Sequence, residues 1–199
     1  NETLIPKKPY DLMRDLAPIS GINYSDLLLV VHPSVPANNL RECIALAKSK
    51  PKGLNYASSG PGTPYHMAGE LFKWMAGIDV VHVPYKGSSG ARTDILGGQI
   101  EMMFDAIPTM AEQARGGRVR ALATTGPRRS PLLPEVPTVA EALPGYDASI
   151  WLGVMAPAQT PAPIVERLNT EINRIMSLQA TREAQLRAGA EVNPMSAAA

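Results

Sequence analysis

The sequence contains little of what marks a disulfide-stabilised, membrane-spanning or nucleic-acid-binding protein. Cys43 is the single cysteine among 199 residues, which excludes an internal disulfide and a cysteine-rich metal site. The apolar runs all stop well short of the roughly 18 residues that cross a bilayer, so no direct membrane insertion is expected. The net charge is only +1, whereas binding driven by phosphate neutralisation needs a basic face. No nucleic-acid partner is therefore expected.

Familiar signals are also missing at the start of the sequence, which has neither an initiator methionine nor a signal peptide. The opening stretch, NETLIPKKPYDLMRDLAPIS, is typical of the interior of a protein, and we expect a mature or trimmed piece. What is present is an ordinary globular composition, with 45% hydrophobic and 19% charged residues. A chain of this length can bury a sizeable core as one large domain or two small ones.

Apolar segments of strand length alternate with helical patterns through the middle of the chain. The run 26–31 is continuously apolar after Asp26 and predicts a strand that is buried on both faces. A helix is predicted over 63–76, and its apolar stripe comprises Met67, Leu71, Trp74 and Met75. Strands and helices that alternate with short links indicate βαβ units, and hence an α/β fold with a parallel sheet and helices on its faces.

Two long apolar strands, at 27–31 and 150–155, bracket this α/β block. We therefore divide the chain into residues 1–31, 32–149 and 150–199. The middle segment is predicted to form one α/β domain that binds the ligand. The outer segments are predicted to be parts of a second domain, with hinge strands where the chain crosses between the two.

The stretch NYASSGPGTPYH, residues 55–66, carries the strongest functional signal. Gly60 and Gly62 let the backbone turn sharply and approach a ligand closely, while Thr63 and Pro64 suit the N-cap and the first position of a helix. Backbone N–H groups at such a helix start are a ready site for a carboxylate or a phosphate. The hydroxyl groups that could add donors are those of Ser58, Ser59 and Thr63. An anion-binding loop is the favoured interpretation.

Other interpretations of this stretch stay open. Ser58 or Ser59 could be a nucleophile activated by His66, although the G-x-S-x-G elbow that presents such a serine is absent. A nucleotide-binding loop would need the lysine of a P-loop or the third glycine of a dinucleotide fingerprint, and neither is here. A plain turn before a capped helix would need no ligand at all.

Further polar side chains follow the next two predicted strands. Tyr85 and Lys86 end one strand and Asp105 ends the other, and parallel strands would bring all these loops to one edge of the sheet. Lys86 favours an anionic ligand, Tyr85 can hydrogen-bond or stack, and Asp105 can accept from a ligand or cap a helix. His32 and His82 have no carboxylate or cysteine at ligand spacing, so no metal site is predicted.

Six stretches of the sequence follow one another in a familiar order: KPYDLMRDLAPIS, LLLVVHPSVPA, NYASSGPGTPYHMAGELFKWMAG, HVPYKGSSGARTDILGGQIEMMFD, GRVRALATTGPRRSPLLPEVPTVAEALPGY and WLGVMAPAQTPAPIVERLN. With them the chain resembles the tripartite tricarboxylate transporter substrate-binding proteins, the Bug family of periplasmic receptors. The resemblance implies a type II periplasmic-binding-protein fold, in which two α/β domains close on a small organic acid. It also implies a periplasmic location, no cofactor and no catalysis.

The resemblance assigns residues to the ligand site. The loop SSGPGTPYH is similar to one whose backbone amides and hydroxyls hold a ligand carboxylate, partly through ordered waters. The ligand-binding candidates in it are Ser58, Ser59, Gly60, Gly62 and Thr63, with His66 supporting the loop. Asp105 and Ala106 match a cleft-lining segment. The weaker candidates are Tyr85, Lys86 and Trp151.

One departure from the family is that the strand, loop and βα units that open its first domain have no counterpart here. We therefore expect apolar surface to be exposed on the remaining part of that domain, with self-association or contact with a missing segment as the consequence. The predicted function is capture of a di- or tricarboxylate, amino acid or aromatic acid for the membrane permease subunits of a tripartite transporter. The alternatives are a small serine-dependent hydrolase or transferase that uses Ser58–Ser59, and the effector-binding domain of a cytoplasmic regulator.

Overall fold

The computed structural model describes residues 9–196. The chain divides into two compact units: an outer unit, made of the segment up to Ser25 and the segment from Ile150 onward, and an inner unit, Asp26–Ser149. These units differ from the predicted segments at one point, because the strand at 27–31 belongs to the inner unit. Residues 1–8 of the first predicted segment and 197–199 of the last lie outside the described residues.

Within residues 9–196, strands and helices alternate between residues 27 and 124, as the sequence pattern predicts for the middle of the chain. The strands are β1 (Leu16–Ser25), β2 (Leu27–Val31), β3 (Asn55–Ser58), β4 (Val81–Pro84), β5 (Met102–Ala106), β6 (Arg120–Thr124), β7 (Ile150–Pro157) and β8 (Glu191–Val192). The helices are α1 (Leu12–Asp15), α2 (Leu40–Ser49), α3 (Pro64–Ala76), α4 (Ser88–Leu96), α5 (Ile107–Arg115), α6 (Ala162–Ser177) and α7 (Gln179–Arg187), with a 3-10 helix at Val139–Glu141.

Local signals place the helix ends. The Asn39 side chain accepts from Glu42 N at 2.9 Å and starts α2. Thr63 starts α3 in the same way, and Gly77 ends it with a left-handed φ of +61°. Such caps involve atoms within one helical turn, so they are readable from the sequence.

The inner unit is built on a five-stranded sheet in the order β4-β3-β5-β2-β6. β3 runs parallel to β4 and β5, whereas β2 runs antiparallel to β5 and β6. The predicted α/β fold is confirmed, but the sheet is mixed rather than wholly parallel. The apolar run of β2 does indicate burial, and all its residues are fully buried, yet burial on two faces carries no information about strand direction.

The buried face of α3 differs from the predicted stripe. Met67 is 49% exposed and Trp74 is 79% exposed, while the buried residues are Ala68, Gly69, Phe72 and Ala76. The helix is apolar on two sides, and the side with small residues faces the sheet. Gly69 lies so close to Tyr56 that a Cβ atom there would come within 2.3 Å of the tyrosine ring. Close approach, rather than summed hydrophobicity, therefore selects the buried face.

The outer unit contains a three-stranded sheet in the order β7-β1-β8, in which β1 is antiparallel to both neighbours. Helix α6 is fastened to β1 by hydrogen bonds from Asn169 Nδ2 to Ile19 O (2.6 Å) and from Ser20 Oγ to Asn173 Oδ1 (2.9 Å). As expected, apolar side chains are exposed here; those on β7 and α6 are Trp151, Leu152, Val154, Met155, Ile164, Leu168 and Ile175. None of the helices within residues 9–196 has the length and hydropathy needed to span a bilayer.

Candidate functional site

The carboxyl ends of β3, β4 and β5 lie at one edge of the inner sheet, because these three strands are parallel. The loops that follow β3 and β4 are joined by backbone hydrogen bonds from Tyr85 N to Ser58 O and from Gly87 N to Ser59 O, both 3.1 Å. We call the residues 59–63, 85–90 and 105–107 the strand-end surface. It contains the N-caps of α3, α4 and α5, and most of the predicted site residues lie in it or next to it.

The loop after β3 is held by its own hydrogen bonds. Ser58 Oγ accepts from Gly60 N at 3.1 Å, and Gly60 O accepts from Thr63 Oγ1 at 2.7 Å. Gly62 N donates to His66 Nδ1 at 3.1 Å. The backbone φ is +130° at Gly60 and +74° at Gly62, a region that favours glycine. The glycines are therefore needed for the shape of this loop.

These contacts revise the roles predicted for the loop. The amides of Gly60 and Gly62 and the hydroxyl of Thr63 all have partners inside the loop, and the Ser58 side chain is fully buried. Ser58 is thus a supporting residue in this structure rather than a surface donor. Among the described residues the hydroxyl of Ser59 has no hydrogen-bond partner, so it is the side chain of the loop that stays available.

A stack of rings lies beneath the loop. The His82 ring lies 4.2 Å from the His66 ring and 4.9 Å from the Tyr56 ring, measured between centroids. Nε2 of His82 is 2.7 Å from Ser58 Oγ, and the Tyr56 hydroxyl donates to Glu70. Burial, together with the nearby His66, lowers the pKa of His82 below its ordinary value. The predicted supporting role of His66 fits its bond to Gly62 N.

The same geometry does not provide an activated serine. The Ser58 hydroxyl is hydrogen-bonded to His82 and not to His66, and Ser58 is fully buried. No carboxylate of the described residues hydrogen-bonds the His82 ring, so the third group that orients a catalytic histidine has no counterpart there. The serine–histidine interpretation of the loop is therefore not supported by the positions of these side chains.

The lowered pKa of His82 predicts a pH-dependent stability. The unfolded histidine takes up a proton near pH 6.5, while the folded His82 resists protonation until a lower pH. The unfolded state therefore binds more protons, and the free energy of unfolding should fall as the pH drops below about 6.5. Urea denaturation at pH 7.5 and 5.5 measures the effect. His82→Gln, which retains a hydrogen-bonding group near Ser58, should show a smaller difference between the two pH values; an unchanged difference would contradict the assignment.

Asp105 is fully buried and is paired with Arg92 of α4. Arg92 Nε and Nη2 donate to the two carboxylate oxygens at 2.5 and 2.9 Å, and Ala106 N donates to Asp105 Oδ1 at 2.8 Å. Burial raises the pKa of Tyr65, and so does the charge of the nearby Asp105. Asp105 is therefore a buried part of the strand-end surface. It pairs with Arg92 and accepts from Ala106 N, and its carboxylate is not exposed to solvent.

The start of α4 carries unused backbone donors. Gly87, its N-cap, has a φ of +103° and no side chain to cap the helix. The N–H groups of Ser88, Ser89 and Gly90 have no acceptor within residues 9–196, unlike the capped start of α3. Such a helix start attracts anions through its free N–H groups and its dipole. The free amides of this edge thus come chiefly from α4 rather than from the SSGPGT loop.

The weaker candidates are distributed unevenly. Lys86 is exposed beside the start of α4, whereas the Tyr85 hydroxyl donates to Asp94 and the ring packs beside Gly90. Ala106 is half-buried at the start of α5. Trp151 belongs to the outer unit, where it is 71% exposed on β7.

Sequence reasoning missed Arg92, Tyr65 and Ser88. A usable signal was present for Arg92, because helical side chains lean toward the N-terminus of their helix. A residue four positions after Ser88 therefore reaches back toward the strand ends. Nothing in the sequence indicated that Asp105 would be its partner.

Comparisons with known proteins agree with one another. The family described as "Tripartite tricarboxylate transporter family receptor" matches residues 2–199. Protein BugT of Bordetella pertussis is 36% identical over 189 residues, which are 94% of this chain and 58% of BugT. Rpa4515 of R. palustris with adipate has a TM-score of 0.88 at 33% identity, covering 98% of this chain and 66% of that one.

A second solved structure is MatC (Rpa3494) from Rhodopseudomonas palustris with bound malate. It has a TM-score of 0.81 at 31% identity and covers 95% of this chain and 65% of that one. The chain spans about half the length of the curated relatives it matches.

Proposed function

The chain belongs to the tripartite tricarboxylate transporter receptor family, and on that basis we propose that it captures a small organic acid and presents it to a membrane permease. The proposed location is the periplasm, where receptors of this kind meet their solutes. The observation that carries the ligand class is the set of unused N–H groups of Ser88, Ser89 and Gly90 on the strand-end surface. Two similar proteins hold adipate and malate, which are both carboxylates.

In the proposed mode of binding, a ligand carboxylate accepts hydrogen bonds from these amides and from the Ser59 hydroxyl. Lys86 adds positive charge at the same edge. The shape of the adjacent loop is maintained by hydrogen bonds of Gly60, Gly62, Thr63 and His66. The buried Ser58 hydroxyl contributes by accepting from Gly60 N. Binding requires no covalent step, so we propose a non-enzymatic receptor.

We also propose that the inner and outer units act as the two domains of a hinged receptor. The chain passes between the units twice, at residues 25–26 and 149–150. These two crossings are the proposed hinge, and a ligand that prefers the closed state would shift the population toward it.

The ligand class is tested by calorimetry and thermal shift with L-malate, adipate, citrate, glutamate and benzoate, and with glucose and AMP as controls. At least one carboxylic acid should raise the melting temperature and titrate with a measurable Kd. A response to glucose or AMP together with no response to any carboxylic acid would overturn the proposal.

The role of the α4 amides is tested by two substitutions at one position. Ser88→Pro removes the N–H group at the first helical position, where proline is well tolerated and Gly87 already has an extended ψ of 167°. Ser88→Ala removes the hydroxyl but keeps the N–H group. A hydrogen bond to a charged group contributes about 1.5–3 kcal/mol, so Ser88→Pro should bind the responding acid at least about tenfold more weakly than Ser88→Ala. Equal affinities would exclude this amide from the site.

A further inference from the structure

The Arg92 guanidinium is only partly used by the protein itself. Two of its five N–H groups donate to Asp105 through Nε and Nη2. Within the described part of the chain, Nη1 meets no acceptor. The Arg92 side chain is 31% exposed, although its partner Asp105 is fully buried. The Nε and Nη2 side of this planar, permanently charged group is therefore held by Asp105, while Nη1 makes no hydrogen bond to the described residues.

Asp105, the partner of the Arg92 guanidinium, belongs to the strand-end surface. Asp105 is the penultimate residue of β5, and Ala106, which donates to it, is the N-cap of α5. Tyr65, in the first turn of α3, lies near both Arg92 and Asp105. The guanidinium thus lies near the first turn of α3 and the N-cap of α5, at the edge of the sheet where α4 also starts.

The pairing with Asp105 has a consequence for recognition. The buried carboxylate accepts three hydrogen bonds, two from Arg92 and one from Ala106 N. Most of its capacity to accept hydrogen bonds is therefore used within the protein. The carboxylate fixes the plane of the guanidinium and lowers the entropy that the arginine loses when it binds a second anion. Lys86 carries a positive charge at the same edge of the sheet, but no carboxylate of the described residues pairs with its ammonium group. A flexible ammonium cannot select a planar group.

We propose that the free edge of Arg92 binds one carboxylate of the ligand, and that Asp105 acts as the positioning residue that holds the guanidinium. This inference rests on the proposed function and deepens it, because it names the side chain that distinguishes a carboxylate from its neutral amide. Arg92 then supplies the positively charged donor, and the α4 amides supply uncharged donors.

The test is calorimetry on the 199-residue chain with L-malate, adipate and adipic acid monoamide. Arg92→Gln/Asp105→Asn removes both charges together, so it leaves no unpaired buried carboxylate. This double variant should bind malate and adipate about tenfold to 100-fold more weakly than the wild type, which corresponds to one lost charge-assisted contact. It should also lose most of the wild-type preference for adipate over the monoamide, a change that a purely structural role would not produce.

Two further variants make the result decisive. Arg92→Lys keeps Asp105 paired but lacks a second planar edge, so it should bind adipate more weakly than the wild type even if the double variant fails to fold. Arg174→Gln removes an exposed arginine of α6, paired with Glu171, and should bind like the wild type.

The outcomes separate this inference from the proposed function. Wild-type binding of adipate or malate, with affinities within twofold in Arg92→Lys and in any folded double variant, would overturn the role of Arg92 and leave the receptor function standing. Absence of wild-type binding to every acid, malate and adipate included, would overturn the proposed function and the inference with it.

Discussion

Replacing Arg92 with leucine is expected to lower the free energy of unfolding by about 3 kcal/mol, because it leaves the Asp105 carboxylate buried without its counter-ion. Breaking a buried ion pair by removing one partner costs about 3–5 kcal/mol. The lower end applies here since Arg92 is 31% exposed while Asp105 is fully buried. Urea denaturation followed by circular dichroism gives the value, provided that the slope with denaturant is unchanged.

The chain offers a matched control in Arg174→Leu. Arg174 and Glu171 form an exposed pair at 2.8 Å, with side chains 61% and 53% exposed. Exposed pairs contribute about 0–1 kcal/mol, so the same chemical change should cost little there. Similar losses for the two variants would show that burial of Asp105 does not determine the cost.

A double variant identifies the source of the loss. Asp105→Asn, introduced into the Arg92→Leu background, removes the unpaired charge and keeps an oxygen that can accept from Ala106 N. Because the uncompensated charge is the main cost, the double variant should regain most of the lost stability. A double variant that is less stable than Arg92→Leu would contradict this explanation.

Replacing Gly69 with alanine is expected to destabilise the protein by about 2 kcal/mol, although alanine is the better helix former by about 1 kcal/mol. A Cβ atom at Gly69 would meet the Tyr56 ring at 2.3, 2.7 and 2.9 Å, so the ring must move. Tyr56 stacks on His82, which in turn contacts Ser58 beneath the binding loop. The variant should therefore also weaken the binding of the responding acid, as calorimetry can measure.

Gly116→Ala is the control for this second prediction. Gly116 directly follows α5, its φ is −77°, and a Cβ atom would come no closer than 3.4 Å, to Glu112 O. Its stability should stay within about 0.5 kcal/mol of the wild type. If Gly69→Ala behaves like Gly116→Ala, the close approach of α3 to Tyr56 does not limit the fold.

At this site, the sequence predicted the features that depend on neighbouring residues and on the order of the elements. Thr63 and Pro64 predicted the start of α3, and the order of strands and helices placed the residue 59–63 loop, Lys86 and Asp105 at one edge of the sheet. The sequence did not predict the hydrogen-bond partners of the polar side chains. Ser58 contacts His82, 24 residues away, rather than His66, and Asp105 pairs with Arg92, 13 residues away.

By itself the sequence determined the α/β class, the helix ends and the family, because caps and turns depend on atoms within one turn and the family motifs are contiguous. Only the tertiary structure decided the direction of β2, the buried face of α3 and the partner of each buried polar group. Those outcomes depend on which distant segments remove a group from water. A buried hydroxyl or carboxylate must then find its hydrogen bonds among whatever neighbours the fold supplies. That is why Asp105 is buried and paired with Arg92 instead of being exposed at the edge of the sheet.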